Sequence, residues 1–106
     1  MIKINELINK GDSKKALEII NKALTNSNEK LKLYYLKAKA EFSLNYFHDC
    51  IETTSKIITY NNKDFRIYNL RALSHFNIGN LKDSIEDFKK TIQINPQFDQ
   101  PYNFIG

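Results

Sequence analysis

The chain has 106 residues, enough for one domain or one run of short repeats with a modest core. Hydrophobic residues make up 42% and charged residues 26%, ordinary values for a globular chain, and no apolar run approaches the ~18 residues of a membrane span. The formal net charge is +4, and the single cysteine, Cys50, excludes an internal disulfide.

The opening, MIKINELINKGD, lacks the long apolar core and small-residue cleavage site of a secretory signal. It predicts a short helix over residues 2–10, ended by Gly11. A second helix follows over 12–25. Helices are then expected over 30–44 and 46–60, joined at Asn45, and over 64–78 and 80–94, joined at Gly79. Gly11, Asn45 and Gly79 mark tight turns, since Gly enters the left-handed region freely and Asn does so better than most residues. In the last helix Leu81, Ile85, Phe88 and Ile92 form an apolar stripe at helical spacing, with Ser84 and Thr91 fitting it less cleanly. Pro96 bars its continuation.

These elements repeat. Displacing the chain by 34 residues aligns it with itself without a gap. Ala16, Cys50 and Ser84 form a column of small side chains, Leu17, Ile51 and Ile85 an aliphatic one, and Leu24, Ile58 and Ile92 another. Asn28, Asn62 and Pro96 stop helices. Tyr34, Tyr68 and Tyr102 align, followed by Ala38, Ala72 and Gly106. A tight turn forces the two helices of each unit antiparallel, and the small columns let their backbones approach. One such hairpin leaves an apolar face open, which stacking of the next hairpin covers.

A 34-residue helix–turn–helix unit with this pattern resembles the tetratricopeptide repeat. The third unit fits best, through Tyr68, Ala72, Gly79, Ser84, Phe88 and Pro96. The second has Thr54 where an aromatic is usual, and the first lacks the opening of its first helix. The pentatricopeptide RNA-binding repeat is a poorer fit, because its unit has 35 residues. The resemblance implies an all-α, right-handed α-solenoid with a shortened repeat at 1–28, full repeats at 29–62 and 63–96, and the start of a fourth at 97–106. Tyr102, Ile105 and Gly106 would open that fourth repeat, so the chain is expected to be the N-terminal portion of a longer array.

Convergent groups for chemistry are scarce. His48 and Asp49 fall on an exposed first turn, and His75 in a packing column. One Cys and two His at unrelated spacing do not make a zinc site. Cys50 lies in the small-residue column, which favours packing over nucleophilic use. Gly79-Asn80 opens a repeat turn and is not a phosphate loop. Glu86 and Asp87 with Lys89 and Lys90 read as a solvated helix face. The chain is therefore expected to be non-catalytic, with no metal and no cofactor, and cytoplasmic.

The charge is uneven: residues 1–40 carry nine Lys against four acids, while residues 41–106 are close to neutral. A basic end can meet nucleic acid, an anionic membrane or an acidic peptide. A nucleic-acid footprint needs a clustered basic stripe, and these lysines read better as a solvated face, so nucleic acid is not the expected partner. In the family the first helices line a concave groove that grips a peptide. Carried onto this chain, that face comprises Asn5 and Ile8, then Lys32, Tyr35, Lys39 and Phe42, then Arg66, Asn69, Leu73 and Phe76. Its cations and aromatics suit an acidic or acidic–aromatic segment of a protein partner.

Chaperone-binding members also hold a C-terminal carboxylate with a clamp of Lys, Asn and Arg. The corresponding positions are Met1, Asn5, Leu36, Arg66 and Leu70. Leucines cannot make charge-assisted hydrogen bonds, so no chaperone-tail clamp is expected. Two other functions fit the sequence less well, a basic α-solenoid binding RNA and the regulatory arm of an enzyme extending past residue 106. Salt-sensitive affinity would mark the first, and the downstream sequence the second.

Overall fold

A computed structural model describes residues 3–26 and 29–98, and shows six α-helices and no strand among them. The helices are α1 Lys3–Asn9, α2 Ser13–Asn26, α3 Lys30–Ser43, α4 Phe47–Tyr60, α5 Phe65–Asn77 and α6 Leu81–Ile94. Each lies within one or two residues of the span expected from the repeat. The start of a fourth repeat, with Tyr102, Ile105 and Gly106, lies outside the described residues, as do Met1 and Asn28.

The three predicted turns are one structure used three times. Gly11, Asn45 and Gly79 have φ of 91°, 64° and 86°. In each turn the positive-φ residue donates its N–H to the carbonyl three positions back, and the next residue donates to the carbonyl five back. Gly11 N reaches Ile8 O at 3.1 Å while Asp12 N reaches Leu7 O at 2.8 Å, and the same pairs recur at Asn45–Tyr46 and Gly79–Asn80. This is the Schellman ending, which satisfies carbonyls the helix leaves open.

The small columns are buried between the helices. Ala16, Ala38, Cys50 and Ala72 are completely buried, and Ser84 nearly so. Thr54, standing where the pattern calls for an aromatic, is also fully buried, and its hydroxyl donates to the carbonyls of Cys50 and Ile51 within its own helix. Phe88, the equivalent residue one repeat later, fills the same position with a ring. Tyr34 and Tyr68 flank the small residues. Each also receives a lysine from the following helix, Lys56 at 5.3 Å from the Tyr34 centroid and Lys90 at 6.0 Å from that of Tyr68.

The order of contacts separates two layers of helices. Each helix packs on its chain neighbour, and α3 additionally meets both α1 and α5, whereas α2, α4 and α6 do not meet one another. The first helices of the repeats therefore form the inner layer. The molecule is elongated along the stacking direction, 40 Å against 25 and 22 Å.

Two expectations about α6 need correction. Its buried face consists of Ser84, Asp87, Phe88 and Thr91, while Leu81 is 56% and Ile85 36% exposed. The buried face keeps Ser84, Phe88 and Thr91 of the expected stripe, adds Asp87, and leaves Leu81 and Ile85 exposed. Asp87 is no part of a solvated face: it is buried, and its carboxylate accepts hydrogen bonds from Arg71 Nε and Nη2 at 2.7 and 2.9 Å. Arg71 Nη1 also donates to Ser55 Oγ at 3.0 Å, so the guanidinium joins α4, α5 and α6.

Candidate binding groove

A groove of about 420 Å³ opens on the inner layer. Its apolar surface comes from Leu31 and Leu36 of α3, Ile57 of α4 and Ile67 of α5. Around this stand Asn5 from α1, Lys32, Tyr35 and Lys39 from α3, and Arg66 from α5. Asn61 and Asp64, in the link between α4 and α5, complete the wall.

Tyr35 is the centre of this arrangement. The Arg66 guanidinium lies 4.7 Å from its ring centroid and Lys39 Nζ lies 5.5 Å away, so two cations share one aromatic face system. Lys39 Nζ also donates to Asn5 Oδ1 at 2.9 Å. These two residues are 34 positions apart, the same place in consecutive repeats. The bond therefore ties one first helix to the next across the groove.

Arg66 is held more firmly than its exposure suggests. Asp64 sits at the N-cap of α5, where its Oδ1 accepts the Arg66 backbone N–H at 3.0 Å. The same carboxylate takes Arg66 Nε at 3.0 Å on Oδ1 and Nη2 at 2.8 Å on Oδ2. The hydrogen bonds from Arg66 hold the Asp64 carboxyl below the usual aspartate range, and in return raise the pKa of the guanidinium. Lys32 is exposed and has no ion pair among the described residues.

Five of the residues expected from the sequence thus meet at this groove: Asn5, Lys32, Tyr35, Lys39 and Arg66. Four do not line it. Phe42 packs edge-on against Phe47, with centroids 5.4 Å apart. Asn69 is 8% exposed and buried in the stack, Leu73 is half-buried, and Phe76 is 42% exposed away from the cavity. Ile8, the remaining first-helix residue, belongs to the core around Ile4, Ala16 and Ile20. Leu36, which denies the chaperone clamp a polar group, lines the groove with its side chain. Sequence reasoning missed Leu31, Leu36 and Ile67 on the first helices, and Ile57, Asn61 and Asp64, which lie outside them. A signal for Asp64 existed: an aspartate directly before a helix, two residues ahead of an arginine, is a capping pattern.

The residues weighed for chemistry are placed otherwise. Cys50 is wholly buried, and desolvation pushes its thiol up to about 12 despite a hydrogen bond with Ser74. His48 is exposed, and His75 is partly buried, its Nε2 4.0 Å from Asp87 Oδ2. Among the described residues no three His, Cys, Asp or Glu side chains are grouped to hold a metal. No described helix is long and apolar enough to cross a membrane.

Residues 65–98 match the family model described as tetratricopeptide repeat. No curated protein sequence matches the chain. Among solved structures, the chain superposes on residues 41-end of MamA from Desulfovibrio magneticus RS-1 with a TM-score of 0.86 at 19% identity, covering 93% of this chain and 56% of MamA. The first TPR domain of human RPAP3 gives 0.89 at 18% identity, with 97% and 81% covered. The first TPR of Spaghetti (RPAP3), bound to the HSP90 peptide SRMEEVD, gives 0.89 at 18%, with 97% and 82% covered. The chain spans little more than half the length of the MamA fragment. Residues 65–98 are a tetratricopeptide repeat, and the described chain has the helical-repeat fold of tetratricopeptide proteins.

Proposed function

We propose that this chain is a non-catalytic protein-interaction module that receives a partner's peptide segment in the groove around Tyr35. The observation that carries the proposal is the convergence of Asn5, Lys32, Tyr35, Lys39 and Arg66, from three successive first helices, over an apolar floor. A floor of Leu31, Leu36, Ile57 and Ile67 takes apolar side chains, and the lysines on the rim suit carboxylates. The tyrosine supplies contact area at low entropic cost, since its ring already lies against two cations. A fold neighbour holding the acidic peptide SRMEEVD supports an acidic segment as the ligand class.

The recognition differs from a carboxylate clamp. Leu36 lines the groove where a clamp needs a hydrogen-bond donor, and Lys39 already donates to Asn5. The module therefore selects a segment that mixes apolar and acidic side chains, whether or not that segment ends its chain.

The experiment is an array of short peptides with alternating acidic and apolar residues, set against basic and uncharged counterparts of equal hydrophobicity. Wild-type protein is expected to favour the acidic set, and Lys32→Glu with Lys39→Glu to weaken it about tenfold, as loss and reversal of two partly exposed pairs would. Equal binding of all sets, or no response to charge reversal, would rule the groove out as the site.

A further inference from the structure

The groove contains its own carboxylate. Asp64 lines it, and both of its oxygens are engaged by the one arginine that also lines it. An incoming carboxylate would find Arg66 Nε and Nη2 already donating, in the fork geometry that it would itself adopt. The Arg66 side chain is 55% exposed, so access is not the obstacle; the Asp64 side chain, 19% exposed, is the occupant.

We infer that Asp64 is a specificity-determining residue that occupies Arg66 in place of a ligand carboxylate and directs acidic side chains to Lys32 and Lys39. The inference rests on the groove being the binding site. Three features of Asp64 make it a built-in competitor and not an incidental surface pair. Its backbone position is fixed by capping: among α3 to α6 it is the only N-cap residue whose side chain accepts a helix N–H. Its partner is two residues away, so the pair forms without closing a long loop. The guanidinium it holds lies over the Tyr35 ring, so the engaged arginine remains part of the groove wall as a flat surface.

Charge in the groove is altered accordingly. Lys32, Lys39 and Arg66 suggest three available cations, but Asp64 cancels the last. Segments with one or two acidic side chains gain the full benefit of the lysines, and a further carboxylate can take the Nε–Nη2 edge of Arg66 only by displacing Asp64. Selection is then for sparsely acidic, apolar-rich segments over densely acidic ones.

The test uses the whole chain and a fluorescein-labelled peptide of alternating aspartate and leucine, blocked at both ends, read by anisotropy. Asp64→Ser keeps an N-capping acceptor, and Asp64→Asn provides a second capping variant should the first unfold. Freed from its competitor, Arg66 is expected to tighten binding about two- to fivefold, the range set by an exposed ion pair. In an Arg66→Gln background the same Asp64 substitution is expected to add nothing. A gain that persists in that background would make Asp64 a general charge effect and overturn the inference. So would binding that depends on Lys39 but shows no gain on Asp64→Ser, an outcome that leaves the groove reading standing. Absence of binding by wild type and both Asp64 variants would overturn the groove reading and this inference together.

Discussion

Arg71 on α5 grips Asp87 on α6 through two hydrogen bonds of 2.7 and 2.9 Å, at a position where the preceding repeat also carries a polar pin. There Thr53, the equivalent of Asp87, donates to Glu41 Oε1 at 2.7 Å, and Lys37, the equivalent of Arg71, stands 3.8 Å from the other glutamate oxygen. The first repeat has Ile19 at this place, 38% exposed. Two successive hairpins are thus registered by buried polar bonds at one position, with donor and acceptor exchanged between helices.

Breaking the Arg71–Asp87 pair from one side strands a charge. Asp87→Ala is expected to destabilise the fold by about 2–3 kcal/mol in denaturant unfolding, below the ~3–5 kcal/mol of a fully buried pair because the Arg71 side chain keeps 23% exposure. Arg71→Met with Asp87→Leu should recover most of that loss. A double variant as unstable as the single one would show that the pair contributes more than the avoidance of an unpaired charge.

Glu41 and Asp64 give stability opposite pH dependences. Burial raises the Glu41 carboxyl above the ordinary glutamate value, so its native form holds a proton more tightly than the unfolded chain does. Ionisation of Glu41 therefore costs stability as pH rises through its raised value, and that cost disappears on acidification towards the ordinary one. Glu41→Gln is expected to stabilise the protein at about pH 7, with an advantage that shrinks by about pH 4.5. Asp64 behaves in the reverse sense: its stabilisation is complete above the ordinary aspartate value and is lost as pH falls through its lowered one. Thermal unfolding of wild type, Glu41→Gln and Asp64→Asn across that range measures both slopes.

The positive-φ turns separate backbone cost from steric cost. A Cβ added at Gly11 or Gly79 would meet nothing within 4 Å. Gly79→Ala is nonetheless expected to cost about 1 kcal/mol, because an L side chain is strained at φ 86°. Gly79→Asn should cost less, as Asn45 already adopts φ 64° at the equivalent turn. Equal losses for Ala and Asn would contradict the assignment of Asn45 as a substitute for Gly.

Cys50 is a packing residue with a thiol pushed up to about 12. Its alkylation by iodoacetamide near neutral pH should proceed only as fast as the native stack opens, and Cys50→Leu should destabilise by about 1–3 kcal/mol through overpacking. Rapid labelling of folded protein would show the thiol to be reachable.

The fold was legible because its signals are local and repeat three times. Gly11, Asn45 and Gly79 each end a helix by the same bonds, and the small residues Ala16, Cys50 and Ser84 fit only where backbones meet. The buried face of α6 was legible in part: Ser84, Phe88 and Thr91 fall in the expected stripe, but Leu81 and Ile85 stay exposed and Asp87 joins the face through Arg71, sixteen residues earlier. The groove was half legible. Column positions gave the side chains projecting from first helices, but Ile57, Asn61 and Asp64 reach the site from the end of α4 and the link after it. Their inclusion depends on how far one helix leans over the next, which spacing along a single helix does not encode.

The central claim is that ligand binding is confined to the inner groove, and its most direct measurement is amide chemical-shift mapping. Protein labelled with ¹⁵N would be titrated with the blocked aspartate–leucine peptide, and perturbed amides placed on the structure. Shifts are expected to concentrate at Asn5, Lys32, Tyr35, Leu36, Lys39, Asn61 and Arg66, and to be abolished by Lys39→Glu. Shifts concentrated on exposed positions of α2, α4 and α6, such as Glu18, Glu52 and Ile85, would contradict it.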